Sequence, residues 1–143
     1  KVMFLCSGNI CRSPFAAAYA REIFGPGVDI RSSGFHDIVR RHAPTQAVQS
    51  ARELGVDLAD HESHRIDAAT LDEFDVVFVF EEKHMHALRA EFPQYRGDVF
   101  YLGDVLIGSD FEIADPYGGG SERFRAAYLS IVYAIDFLDS RYE

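Results

Sequence analysis

The chain has 143 residues, 48% of them hydrophobic, with 14 Lys and Arg against 23 Asp and Glu for a formal net charge of −9. That size fits one domain, residues 1–143, with enough apolar material for a full core, and the acidic balance argues against nucleic acid or an anionic membrane as a partner. No apolar run reaches the length needed to cross a bilayer, so no membrane insertion is expected, and no signal-peptide pattern opens the chain. The two cysteines, Cys6 and Cys11, make no disulfide framework, which points to a reducing cytoplasm.

Val2-Met3-Phe4-Leu5 reads as a first strand. A loop of mostly small residues follows, from Ser7 to Arg12. Ser13 is a good N-cap and Pro14 suits the first helical position, so a helix is expected through Phe24, stopped by Gly25-Pro26-Gly27. Val28 to Ser33 reads as a second strand, followed by a polar loop over 35–43 that contains Phe35, His36, Arg40, Arg41 and His42. Pro44 opens a helix to about Leu54, which Gly55 closes. Val56 to Asp60 leads into a polar loop over 61–66, and Ala68 to Phe74 reads as a short helix. Asp75 to Phe80 is the clearest strand, because its unalternating apolar run suits a parallel strand buried on both faces. Glu81 to Phe92 is helical, and Val99 to Leu102 is a fourth strand. A Gly- and Asp-rich loop spans Gly103 to Gly120. Ser121 caps a last helix from Glu122 to about Leu138, with Phe124, Tyr128, Ile131, Ile135 and Leu138 as its buried stripe. Strand–helix alternation with four strands implies an α/β fold, a doubly wound parallel sheet with helices on both faces.

The segment Cys6-Ser7-Gly8-Asn9-Ile10-Cys11-Arg12-Ser13-Pro14 places a thiol and a guanidinium six positions apart at the carboxyl end of a strand, where open α/β sheets bind ligands. Backbone N–H groups of a tight loop can close on an oxyanion, and a helix N-terminus adds positive charge. Arg12 offers a planar fork to two oxygens, and the same field favours a thiolate at Cys6. Taken singly, a strand-end Cys is a small core residue and an Arg is a solvated surface group. Strand, thiol, glycine, guanidinium, cap and helix together make a phosphate cradle with a nucleophile at its base. A nucleotide P-loop is excluded, since no Gly-Lys-Ser/Thr follows the glycine. Two cysteines with none elsewhere do not complete a zinc site, so neither metal nor cofactor is expected.

Cys6-x5-Arg12-Ser13-Pro14 near the start and Asp115-Pro116-Tyr117 late in the chain resemble the low-molecular-weight protein tyrosine phosphatases, and the resemblance covers the whole length. It implies the strand order 2-1-3-4 and a phosphate-binding loop of Ser7, Gly8, Asn9, Ile10, Cys11 and Arg12 after the first strand. It implies hydrolysis of phosphotyrosine and aryl phosphates through a phosphocysteine at Cys6, with Arg12 on the phosphoryl oxygens and Asp115 as general acid and then base. The Ser13 hydroxyl would also donate to the Cys6 sulfur. Asn9 would take a strained conformation, which Asn tolerates better than most residues, braced by Ser32 and His61. Tyr117 would line the substrate slot, with Phe35 or the adjacent His36 as the opposite wall. Cys11 is a plain buried thiol or a resolving partner for Cys6. The implied partner is a phosphotyrosine-containing protein, a tyrosine kinase among the candidates, and the chain is expected to be a monomer.

The chain departs from the family at Ala17, where an acidic residue is frequent, and at Phe80-Glu81, where Met-Asp is frequent. Neither is expected to touch the chemistry. Gly118-Gly119-Gly120 leaves no second aromatic beside Tyr117, so peptide recognition there is expected to be looser. A protein-arginine phosphatase of the same family is the alternative. That branch shares the Asp-Pro-aromatic-Gly-Gly segment but carries Thr at the position of Ile10, whose apolar side chain suits an aromatic ring. An arsenate reductase would need a further cysteine downstream of Cys11. A non-catalytic phosphate-binding module or a phosphocysteine carrier would not need Asp115 as an acid.

Overall fold

The first strand, β1 (Val2–Cys6), lies inside a parallel sheet in the computed structural model, which describes residues 1–106 and 111–142. It pairs with β2 (Ile30–Gly34) on one side and β3 (Val76–Val79) on the other, and β4 (Asp98–Tyr101) pairs with β3, giving the order β2-β1-β3-β4. The helices are α1 (Arg12–Phe24), α2 (Thr45–Glu53), α3 (Ala68–Asp72), α4 (Glu82–Glu91) and α5 (Ser121–Tyr142).

Strand alternation divides the core between the two faces of the sheet. Met3, Leu5, Val77 and Val79 pack with Leu71 of α3 and Leu88 of α4. Phe4, Cys6, Phe78 and Phe80 share a cluster with Phe15 and Ala16 of α1 and Phe124, Tyr128, Ile131 and Ile135 of α5. Each fully buried large apolar side chain contributes about 1.5–3 kcal/mol. The expected stripe on α5 is therefore the face that anchors this helix, with Leu138 only partly covered.

Element boundaries differ from the sequence expectation at informative places. α1 begins at Arg12 and has Cys11 as its N-cap, with no side-chain cap bond. Ser13 is thus inside the first turn rather than before it, because its hydroxyl is taken up by Cys6 and Asn9. Pro14 still fits there, since a first-turn N–H has no intrahelical acceptor. Pro44 precedes α2 as its N-cap, β2 begins only at Ile30, and Ser121 is the first residue of α5, which continues to Tyr142. The expected strand through Leu102 ends at Tyr101, and Leu102–Val105 winds into a 3-10 turn. Of the expected loop from Gly103 to Gly120, residues 107–110 lie outside the described residues.

Cys6 at the end of β1 stands opposite Gly34 at the end of β2. A Cβ on Gly34 would fall 2.8 Å from the Ser7 carbonyl oxygen and 2.9 Å from the Asn9 nitrogen. Only glycine lets β2 run this close under the loop that follows β1.

Candidate active site

The loop from Ser7 to Cys11 is held from several sides. The N–H groups of Phe35 and His36 both donate to the Ser7 carbonyl, at 2.9 and 3.1 Å. Asn9 is fully buried and left-handed, with φ of 56°. Its Nδ2 donates to Ser13 Oγ at 2.7 Å and Ser32 Oγ at 2.9 Å, and its Oδ1 accepts from the His64 N–H at 2.9 Å. Its carbonyl accepts from His61 Nε2 at 2.6 Å. Burial holds the His61 imidazole below its ordinary pKa, although the bond to Asn9 opposes the shift. Ser32 and His61 thus both hydrogen-bond Asn9, one at its side chain and one at its carbonyl. The N–H groups of Ser7, Gly8, Asn9, Ile10 and Cys11 have no acceptor among the described residues.

Cys6 is buried, and its Sγ lies 3.0 Å from Ser13 Oγ. Ser13 already accepts from Asn9, and its other acceptor, the Ser33 carbonyl, is more distant at 3.4 Å. With Cys6 as a thiolate, which has no proton to give, the Ser13 hydroxyl is the donor of this contact. Cys11 is different in kind. Burial first, then Asp115, pushes its thiol up to about 12, so it stays protonated at neutral pH. Its carbonyl accepts from the Tyr128 hydroxyl at 2.9 Å, which ties the loop to α5.

The Arg12 side chain is 1% exposed. Its NH1 donates to Glu81 Oε2 at 2.7 Å and to the Ile113 carbonyl at 2.8 Å, and the group lies over the Phe80 ring at 5.7 Å. NH2 stands 3.7 Å from Asp115 Oδ2, and Nε is buried without a hydrogen-bond partner. One edge of the guanidinium is therefore fixed by protein, while the Nε–NH2 edge suits bidentate binding of an oxyanion. Asp115 sits at the rim, with Oδ1 accepting the Tyr117 N–H at 3.0 Å.

The contacts of Glu81 correct the expectation that the Phe80-Glu81 departure is remote from the site. His84 is a second residue that sequence reasoning missed. Its Nδ1 accepts from the Phe80 and Glu81 N–H groups at 3.2 and 3.1 Å, which leaves the proton on Nε2 to be donated to Ser7 Oγ at 3.1 Å. Burial, reinforced by Arg12, lowers its pKa to about 3, so the ring is neutral. Glu81 and His84 together form the capping box of α4, and their three-residue spacing was the available sequence signal.

Cys6, the loop and Arg12 line a cavity of about 110 Å³ whose walls include Ile10, His36, Arg41, Asp115 and Tyr117. Phe35 is corrected. Its ring packs with the Met3 and Leu5 cluster and stacks near His84 at 6.3 Å, and His36 takes the wall instead. Such a cavity can hold a tetrahedral oxyanion directly against a thiol. Among the described residues, no group of three or more His, Cys, Asp or Glu converges to hold a metal ion, and no helix is long and apolar enough to cross a membrane.

This fold and this cradle are those of a phosphatase. The family model for low molecular weight phosphotyrosine protein phosphatase matches residues 1–138, and the chain belongs to that family. A protein-arginine-phosphatase of Geobacillus stearothermophilus is 33% identical over 138 residues, 96% of this chain and 93% of its own length. The low molecular weight protein-tyrosine-phosphatase Etp of Escherichia coli K12 is 32% identical over 127 residues, 89% of this chain and 84% of its own. Vibrio vulnificus Wzb, solved in complex with benzylphosphonate, superposes with a TM-score of 0.89 at 29% identity, covering 98% of this chain and 97% of that one.

Proposed function

We propose that the protein dephosphorylates phosphotyrosine in proteins through a phosphocysteine intermediate. The observation that carries this reading is the convergence of the Cys6 sulfur, the free loop N–H groups and the open edge of Arg12 in one cavity with Asp115 at its rim. The Cys6 thiolate attacks phosphorus, the S–P bond forms and the bond from phosphorus to the tyrosyl oxygen breaks. Asp115 delivers a proton to that leaving oxygen. Its carboxylate then takes a proton from water, the water oxygen attacks phosphorus, and the S–P bond breaks to release inorganic phosphate and restore the thiolate. Arg12 and the loop N–H groups hold the equatorial oxygens throughout, and Ser13 stabilises the thiolate as it leaves.

Ile10 lines the cavity as an apolar surface for an aryl ring, and the Vibrio relative holds a phenyl-bearing phosphonate. Phosphoarginine is the second reading, supported by the Geobacillus relative, with the same thiol chemistry on a P–N bond. The two free cysteines fit work in a reducing cytoplasm, as a monomer acting on a phosphotyrosine protein such as a tyrosine kinase.

The test is steady-state hydrolysis of p-nitrophenyl phosphate in EDTA. Wild type turns over, Cys6→Ser does not, and Asp115→Asn loses roughly 10²–10⁴-fold. Undiminished turnover in Cys6→Ser removes the mechanism. Absence of turnover in folded, reduced wild type points to a binding module or carrier. Phosphotyrosine and phosphoarginine peptides compared side by side decide the substrate.

A further inference from the structure

Two guanidinium groups line the cavity, and they are circumstanced differently. Arg12 is buried and paired with Glu81. Arg41 is half-buried, and no carboxylate among the described residues lies within ion-pairing distance of it. Its guanidinium lies over the Tyr117 ring at 6.0 Å, a cation–π contact, and Tyr117 is 55% exposed, which puts the pair on the rim rather than the floor.

The backbone is built to hold Arg41 there. Buried Ser63 clasps it from both sides. The Arg40 N–H donates to the Ser63 carbonyl at 2.9 Å, the Arg41 N–H donates to Ser63 Oγ at 2.9 Å, and the Ser63 N–H donates to the Arg41 carbonyl at 2.9 Å. Arg40 is left-handed, with φ of 60°, an unfavourable conformation for a long side chain that the clasp sustains.

We propose that Arg41 is a specificity-determining residue that reads a carboxylate beside the phosphotyrosine, so that the substrate class is acidic-flanked phosphotyrosine protein. The proposal rests on the phosphotyrosine reading above. A tyrosyl side chain that fills the cavity brings its neighbouring residues across the Arg41–Tyr117 rim. On a chain of net charge −9 there is no general attraction for an acidic peptide, so a preference for one must come from a local cation.

The experiment compares kcat/KM for phosphotyrosine peptides whose immediate neighbours are Asp, Ala or Lys, in wild type, Arg41→Gln and Arg41→Glu. The readout is the ratio between peptides, which any folded, active variant supplies. Wild type is expected to prefer Asp over Ala flanks roughly two- to fivefold, the yield of a partly exposed ion pair, and high salt should shrink that preference. Arg41→Gln, which keeps most of the side-chain length, should bring the ratio to about one, and Arg41→Glu should shift preference to Lys flanks. Equal ratios in wild type and Arg41→Gln overturn the proposal while leaving the phosphotyrosine reading intact. Preference for phosphoarginine over every phosphotyrosine peptide overturns both.

Discussion

Replacing Asn9 with alanine strikes the point on which the phosphate loop turns. The side chain makes three hydrogen bonds, a buried one to Ser13 and partly buried ones to Ser32 and the His64 N–H. Each is worth about 1 kcal/mol net, and the loss is felt most at Ser13, whose hydroxyl is buried. Alanine must also occupy φ near 56°, where it fares worse than Asn by about 1 kcal/mol. The sum is about 4 kcal/mol, a large part of the roughly 5–15 kcal/mol that holds a domain together. Urea denaturation should therefore show a loss of about 2–4 kcal/mol, the lower figure applying if the loop relaxes. The same relaxation should lower kcat/KM on an aryl phosphate by roughly 10- to 1,000-fold. Asn9→Gly loses the same bonds but accepts the left-handed turn, so it should be more stable than Asn9→Ala, the reverse of the usual Gly–Ala order. An Asn9→Ala protein with the wild-type denaturation midpoint, or a glycine variant weaker than the alanine one, refutes the account.

Gly34→Ala puts a methyl against the Ser7 carbonyl and the Asn9 nitrogen, so it should cut phosphatase activity more than it cuts thermal stability, as paired activity and melting measurements would show. Ser13→Ala removes the hydroxyl aimed at Cys6 and should lower kcat roughly 10- to 100-fold, read by steady-state kinetics. His84 titrates at about 3 in the folded protein against 6.5 for a free imidazole. The unfolded chain binds more protons between those values, so wild-type stability falls as pH drops from 6.5 towards 3. In His84→Gln that loss is absent, and the stability gap to wild type should narrow on acidification; parallel curves from pH 7 to pH 4 would count against it.

The strands and the loop after the first were readable because they depend on local signals, whereas the order 2-1-3-4 came from the family resemblance. The unbroken apolar run at Val76–Val79 and the spacing of Cys6 and Arg12 carry their meaning in a few neighbouring residues. What escaped depends on side chains meeting across the fold. Ser13 looks like a cap in sequence, but its hydroxyl is committed to Cys6 and Asn9, which moves the helix start to Arg12. Glu81 and His84 reach Arg12 and Ser7 over separations of 69 and 77 residues. The exchange of Phe35 for His36 at the wall turns on which of two adjacent side chains faces the sheet, and both N–H groups bond the same Ser7 carbonyl. Arg41 had no sequence signal beyond its place in a polar loop.

The bonds from Tyr128 to the Cys11 carbonyl and from Arg12 to the Ile113 carbonyl close spans of 117 and 101 residues. During synthesis the thiol loop leaves the ribosome well before either partner exists, and at about 5–20 residues per second the wait is on the order of 5–20 s. Through that interval Cys6 has neither its anchored loop nor Asp115 across the cavity. The nascent chain is therefore no phosphatase, and its thiols are open to whatever oxidant or chaperone meets them first. Catalytic competence therefore waits on the docking of α5, which carries the Tyr128 anchor.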